Sequence, residues 1–328
     1  MAGINTKIDK DDYNAIQSVI ARILGVGSAN SGYGQTVLSS QVTVSDAVTV
    51  NEYAALRYDI INVNKHIFNA TPSGINDQTI GAKVRYDAAN APINYWLSIA
   101  NSLDTVRLTL APAGQRVSIN HGTNTFTGAW GSNTNPQLAC VVTCEWTNSE
   151  QARFFFNSGS SIQFTSSRTG GSSTAQNTSW TTLLSTAGAR IFGGATPGTG
   201  TSPADGQNFF RLTDAGQTWS NVVASSPYSL NEFSITAETD DTPVVSNNSA
   251  GTSKKLRFEV FWNDNHFPLG GDSASGTPVQ PGTFGPDTVD GTVSLTVQTV
   301  KASGVLEPTG SGNFTIETPT VTIGPITN

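Results

Sequence analysis

Few residues in this chain could do chemistry. Three histidines, His66, His121 and His266, would have to carry most acid–base mechanisms. His66 lies on a segment with helical spacing but off its apolar stripe, so a solvated side chain is expected. His121 falls in Ser118-Ile119-Asn120-His121-Gly122-Thr123-Asn124, which reads as a turn. His266 has the richest setting, Phe261-Trp262-Asn263-Asp264-Asn265-His266-Phe267, with Asp272, Asp287 and Asp290 downstream. An Asp and a His two apart could touch a metal or a sugar. A calcium site, however, draws its oxygen ligands from one tight loop, and these acids are spread from 264 to 290. A structural loop is the plainer expectation, and no metal or cofactor is implied.

Other arrangements are weaker still. No Gly-x-Ser-x-Gly elbow and no phosphate-cradling Gly-x-x-x-x-Gly-Lys occurs. Cys140 and Cys144 lie four apart in a segment where Leu138, Cys140, Val142, Cys144 and Trp146 alternate on one face. Four strand residues span about 13 Å, beyond the roughly 7 Å a disulfide tolerates, so two free buried thiols are expected. Trp180, Trp219 and Tyr228 could stack on a sugar, although core packing is the commoner fate of aromatics in a β protein. A ligand-binding reading would gather Trp219, Trp262, Asp264 and His266.

The elements that must position these residues divide the chain. Asp11-Asp12-Tyr13-Asn14-Ala15-Ile16-Gln17 recurs as Asn51-Glu52-Tyr53-Ala54-Ala55-Leu56-Arg57. Both copies carry an apolar stripe at helical spacing: Tyr13, Ile16, Ile20 and Ile23, then Tyr53, Leu56, Ile60 and Val63. Asp11 and Asn51 stand where a cap belongs. These stripes predict helices over about 12–24 and 52–68. A third stripe, Ile93, Trp96, Ala100, Leu103 and Val106, points to a helix between Pro92 and Leu108, although Val106–Leu110 could equally form a strand. Such short helices are marginal in water, so the eight stripe residues of the duplicated pair are expected to be assembly contacts with a neighbouring subunit, the alternative being that they cap the core of the chain's own β domain.

Beyond Pro112 the period changes to two. Strands are expected over Gln137–Trp146, Ala152–Phe156, Ser161–Ser167, Glu232–Thr239, Lys255–Trp262, Thr292–Val300 and Asn313–Ile323. Gly, Ser, Asn and Pro clusters separate them. The expected fold is mainly β: an antiparallel β-sandwich or jelly roll over 113–328, preceded by a small helical region over 1–112.

Composition narrows the function classes. Only 12% of the 328 residues are charged, about half the usual share, and the net charge is −7 with no basic run. A nucleic-acid partner is not expected. No stretch approaches the roughly 18 apolar residues of a membrane span, so no membrane partner is expected either. The first residues lack the apolar core of a signal peptide, which implies synthesis in a cytoplasm.

Several runs, in order along most of the chain, resemble structural proteins of contractile-tailed bacteriophages, particularly those of marine and cyanobacterial phages. The resemblance rests on the tandem helices joined by Gly32-Tyr33-Gly34-Gln35 and Ser39-Ser40. It continues in Ala152-Arg153-Phe154-Phe155-Phe156-Asn157-Ser158-Gly159, Ile162-Gln163-Phe164 and Ser166-Ser167-Arg168. Asn177-Thr178-Ser179-Trp180, Phe192-Gly193 and Asp287-Thr288-Val289-Asp290-Gly291-Thr292 complete it. It implies a non-enzymatic virion component in the tail, baseplate, neck or fibre-adaptor region, assembled in the host cytoplasm with other virion proteins and copies of itself. The alternative is a receptor- or carbohydrate-binding module on a phage appendage. A third reading, a glycan-degrading enzyme, has no acid pair to nominate.

Overall fold

A computed structural model describes residues 10–43, 48–75, 92–108, 113–132, 136–194, 209–241, 248, 250–265, 288–304, 306–308 and 312–328. The chain divides into two compact units. One comprises Met1–Val117, Glu150–Ser160 and Val300–Thr318; the other comprises Ser118–Ser149, Ser161–Thr299 and Pro319–Asn328. The first unit therefore recruits two segments that period-two patterning assigned to the β region.

The first unit is built on three helices, α1 (Lys10–Leu24), α2 (Val50–Phe68) and α3 (Pro92–Val106). The two stripes form as their spacing predicts. Tyr13, Ile16, Ile20, Ile23, Leu56, Ile60 and Val63 are fully buried and Tyr53 nearly so. They are buried within the chain rather than offered to a partner, because the stripes pack on one another: Tyr13 meets Tyr53 edge to face, and Tyr53 meets Trp96 of α3 likewise. The start of α2 differs in detail from expectation. Thr49 is the capping residue rather than Asn51, and the Glu52 carboxylate accepts the Thr49 backbone N–H.

Ala152–Phe156, expected as a strand, is instead part of helix α4 (Ser149–Asn157). The triple phenylalanine imitates a strand in sequence. The helix places Arg153 and Asn157 one turn apart on one face, where both bind the loop after α1. Arg153 Nη2 donates to the Val26 carbonyl at 2.9 Å, and Asn157 Nδ2 donates to the Ser31 and Gly32 carbonyls at 2.9 and 3.0 Å.

The second unit is mainly β. Its strands are β1 (Arg116–Thr127), β2 (Gln137–Glu145), β3 (Ser161–Thr169), β4 (Ala189–Phe192), β5 (Gln217–Val223), β6 (Glu232–Thr239), β7 (Lys255–Asn263), β8 (Thr292–Ala302) and β9 (Thr320–Ile323). The ends of β1 and β8 run into the helical unit. Two antiparallel sheets form, ordered β1-β8-β3-β4 and β5-β6-β7-β2-β9. The expected strand over Asn313–Ile323 survives only as β9. His121 lies in β1, not in a turn, and its imidazole Nε2 is 2.9 Å from the Thr299 hydroxyl of β8.

The sheets face each other through aromatic side chains. Phe164 and Phe192 come from the first sheet, Trp219 and Phe258 from the second, with ring centroids 4.9 to 5.9 Å apart. Alternation along β7 buries Leu256, Phe258, Val260 and Trp262. Helix α5 (Ala175–Ala187) packs on β3. It begins at Thr174, whose hydroxyl accepts the Asn177 N–H at 3.2 Å, and stops at Gly188, whose positive φ of 57° suits glycine.

Candidate functional site

Of the sequence-nominated ligand residues, Trp219, Trp262 and Asp264 do not line an open site. Trp219 is 1% exposed, and Trp262 and Asp264 are fully buried. Trp219 stands in the inter-sheet aromatic cluster. Trp262 packs on Phe233 and donates its indole N–H to the Ser166 hydroxyl at 2.9 Å. Asp264 accepts the Gln176 side-chain amide. A Cβ at Gly131 would come within 2.2 Å of the Asp264 carboxylate, so the carboxylate occupies the space a side chain would need. His266, Asp272 and Asp287 lie outside the described residues. Trp180 and Tyr228 are buried as well, Trp180 edge to face with Trp130. Burial in a β core is the outcome anticipated for large aromatics; it removes the flat faces of the tryptophans from any ligand, whereas Tyr228, though 4% exposed, borders an open pocket.

His66 is not solvated; it is 2% exposed. Its Nε2 is 2.7 Å from the Ser158 carbonyl, which fixes that nitrogen as the donor. The ring stacks on Phe314, and burial pushes its pKa down to about 4, the carbonyl bond opposing. Sequence placed it off the stripe of α2, but Glu150–Ser160 and Val300–Thr318 supply a second packing surface to that helix. This neutral, enclosed imidazole is a packing group rather than a base.

Cys140 and Cys144 are free and buried, and desolvation pushes the Cys140 thiol up to about 11 and Cys144 higher still. Among the described residues no cluster of three His, Cys, Asp or Glu could hold a metal ion. No described helix is long and apolar enough to cross a membrane.

Polar side chains instead form knots that tie loops together. Around Asp290, Arg168 donates Nε to the backbone carbonyl at 2.7 Å and Nη2 to the carboxylate at 3.1 Å, while the Ser172 N–H donates to both carboxylate oxygens. The bonds from Ser172, then Asn177 and Arg168, hold the Asp290 carboxyl below its ordinary range. Asn177 completes the knot, accepting the Asp290 N–H at 3.1 Å. In the helical unit Asp59 accepts the Leu38 and Ser39 N–H groups, and Gln35 spans to the backbone of Thr315 in both directions.

One pocket in the second unit has the size of a ligand site, about 380 Å³. It lies between α5 and the turn joining β5 to β6. Thr178, Ser179 and Thr182 line one side, Ser225 and Ser226 the other, and Leu183, Ala224 and Tyr228 form a buried floor. None of its lining residues is Asp, Glu, Lys, Arg or His. Of its lining residues the sequence marked only Tyr228, because Ser and Thr occur throughout the chain.

No protein-family model, curated protein or solved structure matches this chain.

Proposed function

We propose that the chain is a non-enzymatic structural component of a tailed bacteriophage particle, in the tail, baseplate, neck or fibre-adaptor region, acting through protein–protein assembly. One observation carries this reading: most of the runs on which the phage resemblance rests supply framework rather than chemistry. Gly32-Tyr33-Gly34-Gln35 is the strap that Asn157 and Gln35 tie down. Arg153 and Asn157 hold the loop after α1. Arg168, Asn177 and Asp290 make a single knot. Side chains spent in this way fix a shape, and a shape is what a particle component contributes. Its partners are then other virion proteins and further copies of itself, and assembly takes place in the host cytoplasm.

Mass spectrometry of density-purified particles of the encoding phage tests this. The chain should be present at a fixed ratio to the major virion proteins. Abundance in infected cells with absence from purified particles would defeat the proposal.

A further inference from the structure

The residues nominated for sugar stacking are buried, yet the second unit does hold an open pocket of ligand size, and its chemistry is specific. We infer that the pocket between α5 and the β5–β6 turn binds an uncharged, polyhydroxylated ligand, a neutral sugar of one or two rings. This goes beyond the structural role proposed above and does not depend on it.

The lining decides the ligand class by elimination. Phosphate, carboxylate or ammonium would shed water on entering and meet no opposite charge, since no lining residue is ionised at neutral pH. A purely apolar ligand would cover the hydroxyls of six Ser and Thr side chains, Thr178, Ser179, Thr182, Thr186, Ser225 and Ser226, without replacing their bonds to water. Two of these hydroxyls already have their protons committed. Thr178 Oγ1 donates to the Thr174 carbonyl and Thr182 Oγ1 to the Thr178 carbonyl, each at 3.0 Å. Their oxygens keep acceptor capacity only, so the ligand must itself donate.

A sugar hydroxyl both donates and accepts, which answers this mixed lining. The C–H face of a pyranose answers the apolar floor of Leu183, Ala224 and Tyr228, and Val223, 57% exposed, extends the apolar surface to the rim. A volume of about 380 Å³ admits one or two such rings.

Saturation-transfer NMR on the full chain tests the inference with glucose, galactose, N-acetylglucosamine, maltose and lactose as probes and with glucuronate and galacturonate as charged controls. At least one neutral sugar should receive saturation and bind with a millimolar dissociation constant, while the uronates receive none. Thr182→Trp, which fills the mouth from an exposed helix position, should weaken binding at least about tenfold with an unchanged melting temperature. If that variant misfolds, Thr186→Trp is read in the same way. Silence from all five neutral sugars, equal transfer to the uronates, or unaltered binding in a folded tryptophan variant would each overturn it.

Discussion

Tyr13 and Tyr53 occupy the same position in the two copies of the duplicated helix, and they meet each other edge to face, 5.8 Å apart at 82°. The repeat is thus self-complementary: each stripe is the surface the other needs. Ile20→Asp or Ile60→Asp should therefore unfold the helical unit, since an unpaired charge buried there costs several kcal/mol. Ala15→Asp, on the exposed face of α1, should stay within about 0.5 kcal/mol of the parent. Urea denaturation followed by far-UV circular dichroism distinguishes these outcomes, and an unchanged midpoint for Ile20→Asp would show that the stripe is not buried.

His66 predicts a pH dependence. Its folded pKa, about 4, lies below the ordinary value of 6.5, so the unfolded chain takes up the proton first. The contribution is fully present above about pH 6.5 and is lost as pH falls toward 4, to a total on the order of 3 kcal/mol. His66→Gln can keep a donor toward Ser158 without titrating. Its unfolding free energy should be flatter over this window than that of the parent chain.

The knot at Asp290 predicts that arginine and lysine are not interchangeable at position 168. One ammonium cannot serve the Asp290 carbonyl, the Asp290 carboxylate and the Asn177 carbonyl together, as the Arg168 guanidinium does. Arg168→Lys should cost about 1–3 kcal/mol, because an ammonium replaces only part of these charge-assisted bonds. The depressed Asp290 pKa adds stability that is present above the normal carboxylate range and lost as pH falls through the folded value. The difference between Arg168→Lys and the parent should accordingly shrink in acid, which thermal melts at neutral and acid pH would reveal.

Both thiols should resist a disulfide-exchange reagent at mildly alkaline pH. The attacking species is the thiolate, and burial raises both pKa values above the normal range. Titration with a chromogenic disulfide should find no reactive thiol in the native protein and two in denaturant. Rapid native labelling would mean that β2 is exposed.

Strong periodicity was readable in the sequence, and tertiary context was not. The helical stripes, β2, β6, β7 and the antiparallel two-sheet architecture follow from residues such as Leu256, Phe258, Val260 and Trp262, which alternate without interruption. Four elements lacked that signal, of which β4, four residues long, is too short to show alternation. β1 contains no buried residue at all, so it has no apolar alternation to display. α5 hides its stripe of Gln176, Trp180, Leu183 and Leu184 among Ser and Thr, and β5 is half exposed. His66 was misread because its cover comes from residues near 158 and 314, far away in the chain. The pocket is hidden in the sequence for a related reason: its walls, near 180 and 225, become neighbours only in the fold, and Tyr228 apart they carry no residue type that announces chemistry.

The division of the chain has a consequence for synthesis. Domains emerging from the ribosome generally fold in order, N-terminal first. Here the unit that begins the chain also contains Glu150–Ser160 and Val300–Thr318, which carry Asn157, Ser158 and Thr315, the partners of its strap and of His66. Its helices can form early, but their enclosure must wait until about residue 318 has been translated. The helices are thus enclosed long after they are translated, and a chain truncated before that point would leave them open.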